Sequence, residues 1–362
     1  MREVLDELRA ATARGPIAVA RIIAAHGSSP RPVGATMALA SDDTVIGSVS
    51  SGCVEAAVLA TARDVLATGV AVVARYGPTG ADDPHGTDPL GLEARLTCGG
   101  AIEVLVERVL DVSVLHDLAR RLAAGEPCAL LTTLGDDTRR TVLAMAGATD
   151  TPWDRFDADA RAMITAGSSG VVGGEIAGDR APVFVHTFAA RPRMVLVGAN
   201  DFVRALAEVA ALLGYAVTVV DARATFAVAH RFPAAHEVVV DRPDRYLRAE
   251  FAAGRLDRRT VVCVMTHDDT FDVPAIAAAL TLDHLAFVGA LGSRRTHTDR
   301  LARLVAAGVP ARALRRLHGP VGLDLGAHTP HETAVSIAAA IVAARTGATG
   351  LPLAELNGPI HR

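Results

Sequence analysis

The second half of the chain alternates short apolar runs with longer amphipathic segments. Five runs have the length and the β-branched content of buried strands: RMVLVGA, YAVTVVD, HEVVVD, TVVCVMT and LAFVGALG. Helical spacing is found in FVRALAEVAALLG, in residues 271–280 and 294–307, and in ETAVSIAAAIVAART, before which TPHE predicts a capping box. Continuously apolar strands that alternate with helices predict a parallel sheet covered by helices on both faces.

The first half has a less regular pattern. Helical spacing predicts helices at residues 2–13, near residues 111–124 and in VEAAVLATARDVLATG, which ends at Gly69. Apolar runs predict strands in PIAVARIIAA, VAVVARY, AIEVLVERV, CALLTTL, TVLAM and APVFVHTF. Residues 77–95 have the composition of a loop, and residues 148–180 show only weak periodicity. We therefore predict an N-terminal mixed α/β domain over residues 1–190 and a parallel-sheet domain over residues 191–362.

Length and charge narrow the class of protein. A chain of 362 residues is longer than one core usually serves, which favours two domains. Charged residues make up 21% of the chain and the formal net charge is -4, so no basic face for nucleic acid is expected. No apolar run reaches the length of a membrane span, and MREVLDELRAATARG lacks a signal-peptide core, so we expect a cytoplasmic protein.

The cysteines fall into two classes by their neighbours. Four cysteines in a chain of this length are not a disulfide framework, and no C-x-x-C pair predicts a zinc site. Cys128 and Cys263 lie inside predicted strands and are expected to be core residues. Cys53 and Cys98 are flanked by glycines, which is unusual for residues that only fill a core. These two are the candidates for thiol chemistry.

The neighbours of Cys53 and Cys98 leave their role open. Gly52 before Cys53 and Gly99 after Cys98 carry no side chain that would cover the sulfur. If a helix begins at Cys53, its backbone N–H groups and dipole would lower the pKa of the thiol. Glu55 would oppose that effect if its carboxylate faced the sulfur. Spacing alone supports a structural role and a functional role equally.

The turn after the first strand of the predicted parallel sheet matches a dinucleotide-binding turn only in part. Gly198 begins it, but Asn200 stands where the G-x-G-x-x-G pattern has its second glycine, which lets a pyrophosphate approach the backbone. Asp221 ends the second strand, 23 residues after Gly198, where an acid binds a ribose hydroxyl, and Arg223 leaves the nucleotide undecided. We predict a Rossmann-like sheet. Binding of NAD(P) and a solvated strand end at Asp221 are the alternatives.

Polar residues also follow the later strands of this sheet, where open α/β sheets bind their ligands. His267 in MTHDD precedes two aspartates, which is typical of a metal or acid–base cluster or of a structural hydrogen-bonding pair. Gly292, Ser293 and Arg294 lie in GALGSRR at the start of a helix. Backbone donors and guanidinium groups together suit a phosphate or another anion.

The chain resembles the XdhC/CoxI family, the xanthine dehydrogenase accessory factors. In the first half the resemblance rests on GSSPRPVGATM, GSVSSGCVE and LTCGG. In the second half it rests on VVDAR, VMTHDDTFD, FVGALGSRR and GPVGLDLGAHTPHETAVSI. Several long motifs in one order, over nearly the whole length, are far more specific than a single glycine-rich turn.

The resemblance implies a maturation factor for molybdenum hydroxylases. Such a factor is expected to bind the molybdopterin cofactor, to protect it while a cysteine desulfurase supplies the terminal sulfido ligand, and to deliver it to the apoenzyme. It implies that Cys53 and Cys98 contact the metal or its sulfur, and a homodimer is expected. The motifs also imply a cofactor-binding role for residues beside the thiols and at the strand ends: Gly52, Glu55, Gly99, Gly198, Asp221, His267, Gly292, Ser293 and Arg294.

Four positions differ from the family pattern. Asn200-Asp201 replaces a glycine and a histidine in the turn, Ser51 replaces a glycine before Cys53, and Ala340 replaces a common acid. Two alternatives to a cofactor-insertion chaperone follow from these differences and from the predicted sheet. They are an NAD(P)-dependent oxidoreductase and a scaffold that bridges partners without a ligand.

Overall fold

The chain forms two compact units in a computed structural model. The model describes residues 1–29, 31–50, 52–77, 100–135, 138–147, 153–173, 182–266 and 268–357. Met1–Ala190 make up most of the first unit, and Arg191–Leu356 form the second. None of the helices in the described ranges is long and apolar enough to cross a membrane.

The first unit contains two antiparallel sheets and four helices among its described residues. Its strands are β1 (Ile17–His26), β2 (Thr36–Ala40), β3 (Val45–Gly47), β4 (Val72–Tyr76), β5 (Ala101–Val109), β6 (Cys128–Thr133), β7 (Arg140–Ala144), β8 (Gly170–Val172) and β9 (Val183–Phe188). Its helices are α1 (Leu5–Thr12), α2 (Glu55–Thr68), α3 (Ser113–Ala123) and α4 (Asp157–Ala166). The strand orders are β3-β2-β1-β5-β4 and β7-β6-β9-β8.

The two sheets pack face to face, and each has a helix on its outer face. Residues of β1 alternate between the two faces, as the period of a strand requires: Ala18 and Ala20 pack with α2, whereas Ile17 and Val19 pack with the second sheet. Helix α4 packs on the outer face of the second sheet through Ile164. The central strands β1, β5, β6 and β9 are therefore buried on both sides, which explains their nearly continuous apolar sequences.

Several polar side chains are buried between these sheets, among them Arg21 and His186. The Arg21 guanidinium donates to Glu107 and, at 2.6 Å, to the Thr132 hydroxyl of the second sheet. The His186 ring stacks on Phe188 with their centroids 4.5 Å apart. A Cβ atom at Gly34 would lie 2.6 Å from His186 Nε2, so only glycine allows this loop to approach the ring.

The second unit is a six-stranded parallel sheet with helices on both faces. Its strands are β10 (Arg193–Val197), β11 (Ala216–Asp221), β12 (Glu237–Val240), β13 (Val261–Val264), β14 (Phe287–Ala290) and β15 (Leu317–His318). Its helices are α5 (Asp201–Leu212), α6 (Pro243–Ala252), α7 (Asp269–Thr281), α8 (Arg294–Ala306), α9 (Ala311–Leu314) and α10 (Pro330–Thr346). The strand order is β12-β11-β10-β13-β14-β15, the 3-2-1-4-5-6 order of a Rossmann fold.

Helices α5 and α10 cover one face of this sheet, and helices α6 to α9 contribute to the core on the other face. The strand order reverses between β10 and β13: earlier strands are added on one side of β10 and later strands on the other. Because β10 and β13 are parallel, the loops that follow them lie at the same edge of the sheet. The predicted combination of a mixed α/β domain and a Rossmann-like parallel-sheet domain is confirmed.

Candidate functional site

The residues between β3 and α2 form a loop that is held by one carboxylate. We call residues 48–54 the Cys53 loop; Ser51 lies outside the described residues. The Glu55 carboxylate accepts hydrogen bonds from Ser48 Oγ at 2.8 Å, from Ser50 N at 2.7 Å and from Gly52 N at 2.9 Å. It also accepts one from the Ser50 hydroxyl. Four donors from the loop therefore converge on one side chain.

The protonation of Glu55 follows from these contacts. Burial alone would raise the pKa of Glu55, but the hydrogen bonds from Ser50 and Ser48 outweigh it, and the pKa lies below its usual value. Glu55 is thus an ionised carboxylate that orders the Cys53 loop. Through these contacts Glu55 positions the backbone on either side of Ser51.

Helix α2 begins at Glu55, so the condition that a helix begins at Cys53 is not met and Cys53 lies before its first turn. Val54 is the N-terminal cap residue and provides no side-chain cap. The amides of Cys53 and Val54 donate instead to Ser50 Oγ, at 3.1 and 3.2 Å. These two backbone donors are therefore already used within the loop.

Cys53 is half-buried at the margin of the core between α2 and the first sheet. Gly52 beside it is exposed and has a φ of 109°, and, its chain neighbours aside, no heavy atom of the described residues lies within 4 Å of the position where its Cβ would be. By contrast, Cys128 and Cys263 are fully buried, as predicted. Burial raises the pKa of Cys128 to about 11 and that of Cys263 to about 12. Among these three thiols, Cys53 has the most accessible setting.

The first sheet brings the Cys53 loop and the start of β5 to one edge. Strand β1 is antiparallel to β2 and β5, β3 is antiparallel to β2, and β4 is antiparallel to β5. Therefore β1, β3 and β4 run toward the edge at which β5 begins, and β3 stops level with the middle of β1. We call this edge the Cys53 edge. Helix α2 also starts here, because Thr61 Oγ1 lies 3.1 Å from the hydroxyl of Tyr76 at the end of β4.

The chain that leads from Cys98 enters the sheet at this edge. Cys98 and Gly99 lie outside the described residues, and β5 begins at Ala101. Just before it, Gly100 packs so closely that a Cβ would lie 2.8 Å from His26 O at the end of β1. Only glycine fits between these backbones.

In the second unit, the turn after β10 is built around Gly198 and Asn200. Gly198 has a φ of 116°, and a Cβ there would collide with the Thr266 methyl group. Asn200 caps α5, since its Oδ1 accepts from Val203 N at 3.0 Å, and its Nδ2 donates to Met265 O at 2.8 Å. The residue that breaks the glycine pattern thus ties the turn to the end of β13, a role that its high preference for helix N-caps could have indicated.

Asp221 ends β11 as predicted, but its carboxylate already has partners. Arg223 donates to it from its backbone N at 2.8 Å, from Nε at 2.9 Å and from its terminal nitrogen at 2.7 Å. Burial would raise the pKa of Asp221, but the bonds from Arg223 prevail and the pKa is lowered. A ribose hydroxyl would have to displace part of this arrangement.

The segment after β13 contains the candidate residue His267. His267 lies outside the described residues, and Asp268 caps α7 by accepting from Thr270 N at 3.0 Å. No group of three or more His, Cys, Asp or Glu residues in the described ranges is arranged to hold a metal ion.

The start of α8 presents donors toward solvent. Ser293 caps the helix by accepting from Thr296 N at 3.1 Å, and the side chains of Arg294 and Arg295 are exposed. Gly292 has a φ of 152° just before the cap. Ser293, Arg294 and the first-turn amides therefore form a local concentration of hydrogen-bond donors and positive charge, as expected for an anion site.

A cleft that the sequence did not indicate lies beside the start of α5. It has a volume of about 380 Å³ and is lined by Asn200, Asp201, Arg204, Glu208, His230, Arg231, Phe232, Pro233 and His331. Two close pairs lie in it: Arg204 lies 3.5 Å from Asp201, and the His331 ring lies 3.3 Å from Glu208. These residues come from three separate segments, so spacing along the chain could not bring them together.

Comparison with known proteins identifies both units. The model described as the XdhC and CoxI family matches residues 10–77, and that of the XdhC Rossmann domain matches residues 194–341. The molybdenum cofactor insertion chaperone PaoD of Escherichia coli is 25% identical over 324 residues, which are 90% of this chain and 82% of PaoD. A protein of Bacillus subtilis named as a probable xanthine dehydrogenase component is 26% identical over 327 residues, which are 90% of this chain and 92% of the relative.

A crystal structure described as a xanthine dehydrogenase from Bacillus halodurans is similar along both units. It has a TM-score of 0.64 and 25% identity, and the match covers 97% of this chain and 98% of that one. The two family models together match more than half of the chain, one in each unit. This chain belongs to the XdhC and CoxI family.

Proposed function

We propose that this protein binds the molybdopterin-type molybdenum cofactor and delivers it to the apoenzyme of a molybdenum hydroxylase of the xanthine dehydrogenase type. The names of two relatives support this proposal, and each relative aligns with 90% of the chain. The observation that carries it is the Cys53 edge. The Cys53 loop leaves the sheet there, and the strand that follows Cys98 begins there.

Within this proposal, Cys53 and Cys98 contact the molybdenum or its sulfur. Thiolate is a soft ligand that suits this chemistry. Cys53 is half-buried beside the open space at Gly52, and Glu55 fixes the backbone that carries it. A cysteine desulfurase is the proposed partner that supplies the terminal sulfido ligand while the cofactor is bound.

The start of α8 in the second unit is proposed, taken by itself, as a binding place for a phosphate or another anion. Gly292, Ser293 and Arg294 provide an exposed helix start with a positive side chain. Gly198, Asp221 and His267 complete the predicted ligand-binding residues at the strand ends. A homodimer is part of the proposal, and sedimentation of the purified protein tests it.

The test of the thiol assignment is retention of the cofactor. The protein is co-produced with the cofactor pathway, purified, and assayed for molybdenum by mass spectrometry and for pterin by the fluorescence of its oxidised form. We expect Cys53→Ala and Cys98→Ala to lower both contents and the double variant to lower them further. Full retention in the double variant would contradict the thiol assignment, and no pterin in the wild type would contradict the function itself.

Cys128→Ala and Cys263→Ala are the matched controls. Both remove one thiol, but both thiols are fully buried in strands. We expect these variants to be less stable than the wild type. The cofactor content per amount of folded protein should nevertheless stay the same. A loss equal to that of Cys53→Ala would show that the assay reports folding rather than a thiol contact.

A nucleotide-dependent oxidoreductase is the second candidate, because the strand order of the second unit is that of dinucleotide-binding domains. Asn200 and the occupied carboxylate of Asp221 oppose it. Fluorescence titration with NADH and NADPH discriminates the two functions. Saturable micromolar binding with hydride transfer would favour the oxidoreductase, and we expect neither.

A further inference from the structure

The carboxyl edge of the parallel sheet contains a buried ion pair. Asp272 in α7 is 1% exposed and Arg300 in α8 is 4% exposed. Arg300 donates to Asp272 Oδ2 at 3.2 Å. Removing two charges from water costs several kcal/mol per ion, so a pair of this kind is a weak source of stability. Its contacts indicate a different purpose.

The pair connects loops that follow three different strands. The same nitrogen of Arg300 that reaches Asp272 also donates to Leu291 O, at 3.0 Å, in the loop after β14. On the other side, Asp272 accepts a hydrogen bond from the hydroxyl of Thr266, in the loop after β13. The methyl group of Thr266 in turn lies against Gly198, in the turn after β10. One chain of contacts thus runs from the Gly198 turn to the loop that leads into α8.

The second terminal nitrogen of Arg300 extends this connection toward the start of α8. It is buried and has no hydrogen-bond partner in the described part of the chain. A Cβ at Gly292 would lie 3.6 Å from it, so the guanidinium lies beneath the backbone just before the Ser293 cap. The loop whose amides form the proposed anion site therefore rests on Arg300.

We propose that Asp272 and Arg300 are positioning residues that hold the loops after β10, β13 and β14 in one arrangement for ligand binding. The identity of the ligand rests on the proposed function. The coupling between the loops does not depend on it. Coupled in this way, the Gly198 turn and the first turn of α8 open and close as a unit. A phosphate at Ser293 and Arg294 would meet amides that are already in place.

The experiment compares variants that break the pair with one that replaces it. Arg300→Met removes the charge and all three guanidinium nitrogens but keeps an unbranched side chain. The double variant Asp272→Leu/Arg300→Met replaces both ions by apolar groups, a change that buried pairs often tolerate without loss of stability. Amide hydrogen exchange is followed at Gly198, Thr266 and Leu291, and inorganic pyrophosphate binding is measured by calorimetry.

We expect both variants to raise exchange in all three loops together, by about tenfold, and to weaken pyrophosphate binding by a similar factor. The double variant is expected to keep the melting temperature of the wild type, which separates positioning from folding. Restored exchange and binding in the double variant would overturn the proposal, as would a rise confined to Leu291. If the wild type binds no pyrophosphate, the phosphate assignment fails, and the exchange data alone decide the coupling.

The control is an ion pair at the opposite edge of the same sheet. Arg193 begins β10, where it contacts Glu250 and donates to the Tyr246 hydroxyl at 2.8 Å. Arg193→Met breaks this pair at the amino end of the strand. It should lower the melting temperature while leaving loop exchange and pyrophosphate binding unchanged, and a loop response equal to that of Arg300→Met would also overturn the proposal.

Discussion

Replacing Glu55 by Gln should loosen the Cys53 loop without disturbing the sheet below it. The glutamine keeps one acceptor oxygen, but its NH2 group replaces the other and would face donors from the loop. Each carboxylate oxygen accepts from one serine hydroxyl and one backbone N–H. A hydroxyl can turn to accept from the new NH2 group, but the backbone N–H beside it is left without an acceptor. Losing one partner in this way costs about 2 kcal/mol. Glu55 is half-buried, so water replaces part of the charge assistance and we use the value for neutral bonds.

The loss is measured as the opening free energy of individual amides. About 2 kcal/mol corresponds to roughly 30-fold faster hydrogen exchange at the amides that depend on the carboxylate or on Ser50: Gly52, Cys53 and Val54. In a Cys98→Ala background, alkylation of Cys53 by iodoacetamide reports the same opening through the side chain. Amides of the central strand β1 should not change.

Glu332→Gln is the matched control. Glu332 accepts from His328 N at 2.9 Å and Thr329 N at 2.8 Å in the capping box of α10, where glutamine is an accepted substitute. The same chemical change should therefore cost much less there. Equal effects at the two sites, or unchanged exchange in the Cys53 loop, would refute the role given to Glu55.

Three further predictions concern stability. Burial, followed by repulsion from Arg21, holds the pKa of His186 well below its usual value. Below about pH 6.5 the unfolded chain therefore binds a proton that the folded one does not, and the free energy of unfolding should fall by up to about 1.4 kcal/mol per pH unit. His186→Phe should remove this slope in urea titrations at two pH values, and identical slopes would contradict the reasoning. Gly198→Ala should lower the melting temperature by a loss of about 2 kcal/mol or more. Gly52→Ala is its control, because Gly52 has a similar φ but open space around it, so this variant measures the cost of the backbone conformation alone. Equal losses of stability in the two variants would show that the clash with Thr266 contributes nothing. Thr329→Ala should cost about 1 kcal/mol by urea titration, because its hydroxyl accepts from Glu332 N at the start of α10; Thr329→Ser is its control.

The sequence predicts the second unit well because its strands are buried on both faces. Val195 and Val197 face one helix layer, while Met194 and Leu196 face the other, so the apolar runs are unbroken. Elements with short or polar patterns are missed. Strand β15 has only two residues, and helix α6 is mostly polar, with few apolar residues to show a helical period. Residues 148–180, where no element was predicted, contain α4 and β8.

The site is harder to predict, because its important contacts join residues through the backbone. Nothing in the spacing shows that Glu55 binds Ser48 and Ser50, or that Asn200 reaches Met265. One signal was available for the buried ion pair. Asp272 lies in DTFDVPAIAAALT, where a charged residue beside a nearly continuous apolar stretch is best explained by a partner in the core.

The arrangement around Glu55 has a consequence for the release of a ligand from Cys53. The start of a helix normally attracts anions through its unpaired amides and its positive dipole. Before α2 the Glu55 carboxylate accepts from the amide of Gly52, and Ser50 Oγ accepts from the next two amides. The loop is therefore ordered by side chains of the chain itself and needs no bound anion to complete it. A ligand can leave Cys53 without unfolding the loop, so the same arrangement is ready to receive the next one.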